Sequence, residues 1–121
     1  MITTDDVRAF ALALPEVTEF SHHRFRVPGF KVRGTTFAGL EKGETSAVFC
    51  LSAEQSAAAV AAEPAIYEEV RRPTNPPSFL GVRTDLSRIS RERARELVEL
   101  AWRNKAPKRV VTAYDVGSVP Q

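Results

Sequence analysis

The chain has little of what most active sites are built from. It holds one cysteine in 121 residues, so no intramolecular disulfide can form. Cys50 lies in the apolar run Ala47-Val48-Phe49-Cys50-Leu51, where a buried inert thiol is expected rather than a nucleophile. A reducing, cytoplasmic setting follows as the default. The two histidines, His22 and His23, are neighbours on an expected strand, so their side chains point to opposite faces and do not share a metal. There is no third ligand at a suitable spacing and no cysteine pair for zinc, so neither a metal nor a cofactor is expected. No apolar run approaches the ~20 residues needed to cross a membrane. Met1-Ile2-Thr3-Thr4-Asp5-Asp6 has no basic segment ahead of an apolar one, so a signal peptide is not expected.

Signature motifs are also missing. The sequence has no Gly-x-Ser-x-Gly elbow, no dinucleotide glycine fingerprint and no kinase-type set. Gly29-Phe30-Lys31-Val32-Arg33-Gly34-Thr35-Thr36 is superficially like a phosphate loop. It fails because Thr35 stands where the phosphate-reaching lysine belongs, and because a strand follows where a helix should start. No catalytic residue is assigned.

What is present is charge, unevenly placed. The formal net charge is only +2, too small by itself to indicate nucleic acid. Yet residues 22–40 hold Arg24, Arg26, Lys31 and Arg33 without an acid, and residues 103–109 hold Arg103, Lys105, Lys108 and Arg109 without one. The acids collect in the helices and turns, which can produce a one-sided field.

The length bounds one domain, with roughly 60–70% of the unfolded surface buried. Val7, Phe10, Ala11 and Leu14 form a helical stripe, capped by Thr3 and stopped by Pro15, over about residues 3–14. Alternation over 22–27 predicts a strand, and Pro28-Gly29 a turn. Phe30 to Leu40 reads as a second strand with Gly34 as a bulge, and Thr45 to Leu51 as a third. Ser52-Ala53-Glu54-Gln55 is a capping box opening an alanine-rich helix to about Ala62. Ala65 to Val70 is extended, residues 71–77 with three prolines form a loop, and Ser78 to Thr84 is the last strand. Asp85 or Ser87 caps a long helix to about Asn104, with the stripe Ile89, Arg93 (stem only), Leu97, Leu100 and Ala101, and Val98 and Trp102 at its flanks. Pro107 ends it. Residues 110–121 read as a mobile tail with the short patch Val110-Val111; the domain is drawn as 1–113 and the flexible tail as 114–121. The expected fold is therefore α+β: α-β-β-β-α-β-β-α, a mostly antiparallel five-stranded sheet with helices packed on one face and the other face open.

Phe79-Leu80-Gly81-Val82-Arg83, Asp85-Leu86, Glu96 to Arg103 and Ala106-Pro107-Lys108-Arg109 resemble the ending of the MmcQ/YjbR family of small bacterial proteins. Ala11-Leu12-Ala13-Leu14-Pro15-Glu16-Val17 looks like that family's opening helix and stop, and Gly34 to Leu40 like its second strand, although the family often has Lys where Thr35 stands. The resemblance covers about residues 5–113. It implies a fold similar to type III secretion chaperones and, in outline, to the CyaY/frataxin-like sheet, and a DNA-binding role. Asp5 and Asp6, with distant Glu16 and Glu19, are too sparse for a frataxin-type iron-binding ridge, and helix capping explains the aspartates.

The candidate nucleic-acid contacts are Arg24, Arg26, Lys31, Arg33 and Arg83 on the open sheet face, and Arg103, Lys105, Lys108 and Arg109 at the C-terminal helix end. Arginine forks and lysine point charges suit phosphates. Two plain alternatives stand beside this. Long cations keep an exposed sheet face soluble, and cations at a helix C-terminus complement its dipole. Three functions are carried forward: a non-catalytic DNA-binding module, a protein-protein adaptor or chaperone-like homodimer, and a small-ligand binder.

Overall fold

The computed structural model describes residues 2–21, 26–72 and 78–118. The chain runs α1 (Thr4–Leu12), β1 (Val17–Ser21), β2 (Pro28–Val32), β3 (Thr35–Leu40), β4 (Ser46–Phe49), α2 (Ala53–Ala62), β5 (Tyr67–Arg72), β6 (Ser78–Asp85), α3 (Arg91–Lys105) and α4 (Lys108–Ser118). The α+β class is as expected. The sheet has six strands rather than five, all antiparallel, in the order β1-β2-β3-β4-β6-β5.

The pairing registers define the two faces. Glu19, Phe30, Ala38, Phe49, Val82 and Glu69 are successive cross-strand partners and share one face. The inner members of that row are buried. On this face α1 reaches β1 through Arg8 and Glu19, and Arg93 of α3 donates to the Tyr67 hydroxyl at 2.9 Å. The first and third helices also pack on each other, so both cover the same side. The next row, Phe20, Gly29, Gly39, Val48, Arg83 and Glu68, lies on the opposite, open face.

Local chemistry explains the elements. Thr3 and Asp6 form a capping box on α1, as do Ser52 and Gln55 on α2. β2 and β3 meet in a tight turn with Arg33 at φ +51° and Gly34 at φ +85°, the pair of left-handed residues that a twist-matched two-residue hairpin requires. Gly34 is therefore the turn and not a bulge. The bulge lies opposite Phe30/Lys31 and leaves Phe37 without a partner in the register. Its consequence is that Phe37 and Ala38, consecutive residues, are both buried.

Four further expectations are corrected. Pro28-Gly29 is no turn: it lies inside β2, opposite Ser21 and Phe20. The glycine serves close approach instead, because a Cβ there would lie 2.5 Å from Cζ of the Phe20 ring. β1 begins five residues before the strand expected over 22–27. Arg26, at φ +55°, and Val27 lie outside any strand, and residues 22–25 lie outside the described residues. α3 is capped by Ser90, whose side chain accepts from the Arg93 amide, while Asp85 accepts from the Ser87 amide and hydroxyl in a local turn. Residues 110–118, within the stretch expected as a tail, belong to α4. Val110, Val111 and Tyr114 pack that helix on the core, which a short apolar patch did not foretell.

The buried side of α3 is Ala94, Leu97, Val98, Ala101 and Trp102, with Arg93 and Leu100 only half-buried. Trp102 is fully buried, donates its indole N–H to the Pro15 carbonyl at 3.1 Å, and meets the Tyr114 ring edge-on with centroids 5.1 Å apart. Replacing Trp102 with Ala is expected to cost about 3–5 kcal/mol in a urea titration. Trp102→Phe keeps most of the ring but orphans the Pro15 carbonyl, and should cost about 1–3 kcal/mol. A Trp102→Ala loss under about 1 kcal/mol would contradict this packing.

Candidate nucleic-acid interface

The nominated cations do not form one surface. On the open sheet face, Arg83 donates from Nε to Glu41 Oε1 at 2.6 Å, and its Nη1 lies 3.3 Å from Glu68 Oε2. Glu41 also accepts from the Ser46 hydroxyl at 2.7 Å. Burial works to raise the Glu41 pKa, but the bonds from Arg83 and Ser46 outweigh it and hold the carboxyl below its ordinary value. Arg83 is therefore already neutralised by acids on its own face. Lys31 places Nζ 4.6 Å from the centroid of the Phe20 ring, which lies over Gly29. Arg33 sits in the β2–β3 turn and donates to Glu16 at 2.9 Å. Arg26 is exposed in the β1–β2 connection rather than on a strand. Arg24 lies outside the described residues. The open face thus carries mixed charge, with Glu41, Glu68 and Asp85 among its cations.

The C-terminal group divides in two. Arg103 is occupied: it contacts Glu99 at 3.2 Å and grips Asp115 of α4 through two bonds, 3.1 and 2.7 Å. Those bonds raise the Arg103 pKa, and the Arg103 guanidinium holds Asp115 below the ordinary carboxylate value. This cation is a clamp between helices. Lys105, Lys108 and Arg109 are exposed and make no ion pair or side-chain hydrogen bond among the described residues.

The α3–α4 junction gives these three their setting. Pro107 accepts backbone bonds from Val110 and Val111, at 2.9 and 3.2 Å, and so is the N-cap of α4. Its ring carries no side-chain oxygen to accept from the first amides of the helix. Lys108 and Arg109 then occupy the first turn, which contains no acid. A helix dipole disfavours cations there, by a few tenths of a kcal/mol to about 1 kcal/mol each. The dipole therefore accounts for Arg103 and Lys105, in the last turn of α3, and not for Lys108 and Arg109. The sequence did not show this, because it read residues 103–109 as one helix end.

The structure adds Arg72. Burial pushes the Cys50 thiol pKa up, and the charges of Lys105 and Arg72 both pull it partly back, so both cations lie within electrostatic reach of Cys50. Asn104 donates to the Cys50 carbonyl at 2.7 Å and fixes the C-terminal end of α3. Arg72 was overlooked because it was read as part of a proline-rich loop.

Other chemistry is sparse. A groove of about 790 Å³ at the start of β5 is lined by Tyr67, Arg83, Thr84, Asp85 and Arg88. Its arginines are engaged, Arg83 as above and Arg88 by the Ala65 carbonyl at 3.3 Å. Among the described residues no group of three His, Cys, Asp or Glu side chains is arranged to hold a metal. No described helix is long and apolar enough to cross a membrane.

An antiparallel sheet with its helices gathered on one face defines the α+β class. Within that class the chain belongs to the YjbR family, whose profile matches residues 12–104. The fold is similar to the crystal structure of Deinococcus radiodurans protein DR2400, a DUF419 domain protein, with a TM-score of 0.73 at 17% identity, over 95% of this chain and 89% of that one. No curated protein matches the chain.

The Arg103–Asp115 clamp makes a pH prediction. A carboxylate with a depressed folded pKa stabilises fully above its unfolded value, about 3.9, and loses that contribution as pH falls through the folded value. Asp115→Asn should therefore lower the melting temperature at neutral pH, with the gap to wild type closing below about pH 4. Asp6, Asp85 and Glu41, also depressed, titrate in both proteins and cancel in the comparison. A gap independent of pH would show that the charge of Asp115 does not hold α4.

Proposed function

We propose that this protein is a non-catalytic nucleic-acid-binding member of its family. Its phosphate contacts lie at the α3–α4 junction, Lys105, Lys108 and Arg109 with Arg72 beside them, rather than on the open sheet face. The observation that carries the reading is the pair Lys108 and Arg109 in the first turn of α4, exposed and without an acid, where the helix disfavours them. A phosphate would reverse that penalty: free amides at a helix start, together with Arg and Lys side chains, suit an oxyanion. Contacts of this type reach the backbone and not the base edges, so binding is sequence-tolerant. Duplex DNA is the ligand this charge pattern suits, and a reducing cytoplasm is the compartment the reading takes, in keeping with a single buried thiol.

Titration of unrelated duplexes at several salt concentrations tests it. Four phosphate contacts give a slope near −3.6 in log affinity against log salt, at roughly −0.9 per contact. Lys105→Ser/Lys108→Ser/Arg109→Ser should reduce that slope by about 2.7, and Arg26→Ser by no more than about 0.9. Wild-type protein that does not bind, or a triple variant that keeps both affinity and slope, would remove the proposal.

A further inference from the structure

The two edges of the sheet are treated differently by the sequence. β5 carries the devices that keep an edge from pairing. Four of its six residues, Glu68, Glu69, Arg71 and Arg72, are charged. Its pairing with β6 is interrupted by a register shift at Val70/Arg71, and α2 packs against it. Charge, a bulge and a covering helix each discourage another strand from adding there.

β1 has neither the run of charge nor the register shift, although α1 packs on its helix face. Val17-Thr18-Glu19-Phe20-Ser21 contains no proline, pairs with β2 over five residues without a shift, and carries a single charge. That charge is neutralised within the chain: Arg8 grips both oxygens of Glu19, at 2.8 and 3.2 Å. Phe20 is held against Gly29 with Lys31 above it, so the side chain is fixed before any partner arrives. Among the described residues no strand lies on the outer side of β1, so its outward amides and carbonyls meet no other strand there.

We infer that β1 is a self-pairing edge, and that two copies of the chain associate antiparallel through Val17–Ser21 to join their sheets. A second copy is the occupant because the edge complements itself. With the two-fold axis at Glu19, Thr18 of each copy lies opposite the partner's Phe20 on the open face, giving two equivalent Thr–aromatic cross-strand pairs. The two Glu19 side chains meet on the helix face, each already balanced by its own Arg8, so no unrelieved like charge opposes pairing. Isologous two-fold contacts are the commonest way a chain meets itself. Two five-residue strands bury less than about 1,000 Å², so the dimer is transient and concentration-dependent. The inference uses backbone and edge chemistry only, and stands apart from the nucleic-acid reading.

The experiment is sedimentation velocity on the full chain from about 10 μM to about 1 mM, joined to amide hydrogen exchange over the same range. Expected are a monomer–dimer equilibrium and slower exchange confined to residues 17–21 as concentration rises. Thr18→Lys places the lysines of the two copies diagonally across the two-fold axis on the open face, at an exposed position. It should raise the dimer dissociation constant at least tenfold while leaving circular dichroism and melting temperature unchanged. The exchange measurement on wild type needs no variant and decides the matter if the variant misfolds. A chain still monomeric at about 1 mM, or a dimer whose protection falls outside β1, overturns the inference. So does an edge that binds an unrelated extended peptide without self-association.

Discussion

Trp102 joins three parts of the molecule. Its ring is buried on the sheet side of α3, its indole N–H bonds the Pro15 carbonyl in the turn between α1 and β1, and its edge meets Tyr114 of α4. The turn fixes where β1 begins, and so the register of the first hairpin. The Tyr114 contact, together with Arg103 and Asp115, fixes α4, and thereby the orientation of the junction where Lys105, Lys108 and Arg109 sit. A large aromatic with a single polar atom is suited to this: the ring supplies apolar area, and one directional bond sets its position.

Around that anchor, electrostatics sorts the cations by whether an acid can reach them. Arg83 meets Glu41 and Glu68 because β4, β5 and β6 bring residues far apart in sequence side by side. Arg33 meets Glu16 because the two turns adjoin. Arg8, Arg91 and Arg103 are matched by Glu19, Asp6 and Asp115. Exposed pairs of this kind contribute about 1 kcal/mol or less each to stability. Their larger effect is on the surface potential, since a paired arginine presents little net field to an approaching polyanion. Among the described cations without an ion pair to an acid, Lys105, Lys108 and Arg109 fall together at the α3–α4 junction, whereas Arg26, Lys42 and Arg95 lie elsewhere on the surface.

Membership of the YjbR family accounts for the fold and leaves the chemistry to be argued from the surface, since one fold hosts many functions. The two surfaces singled out are of different kinds. In the two proposals, the junction would present charge to a phosphate backbone and β1 would present backbone hydrogen bonds to a strand. They draw on separate residues and can operate in the same molecule.

Much of the architecture was legible in the chain because it depends on short-range rules. The capping boxes at Thr3 and Ser52, the stripe of α1 and the long amphipathic α3 follow from local hydrogen bonding and periodicity, and the resemblance to the YjbR family rested on the same punctuation. Tertiary contact decided the rest. Gly29 looked like a turn residue, and only the Phe20 ring above it shows why a side chain is excluded there. Val17–Ser21 was too short and too polar to stand out as a strand until pairing with β2 gave it a register. α4 lacked a signal because its apolar residues make a face only against Trp102 and its neighbours. The open sheet face looked basic in the sequence because Arg33 and Arg83 are remote in number from Glu16, Glu41 and Glu68. Coulomb attraction acts across ångströms and not across residue numbers, so charge neutralisation is a property of the folded chain alone.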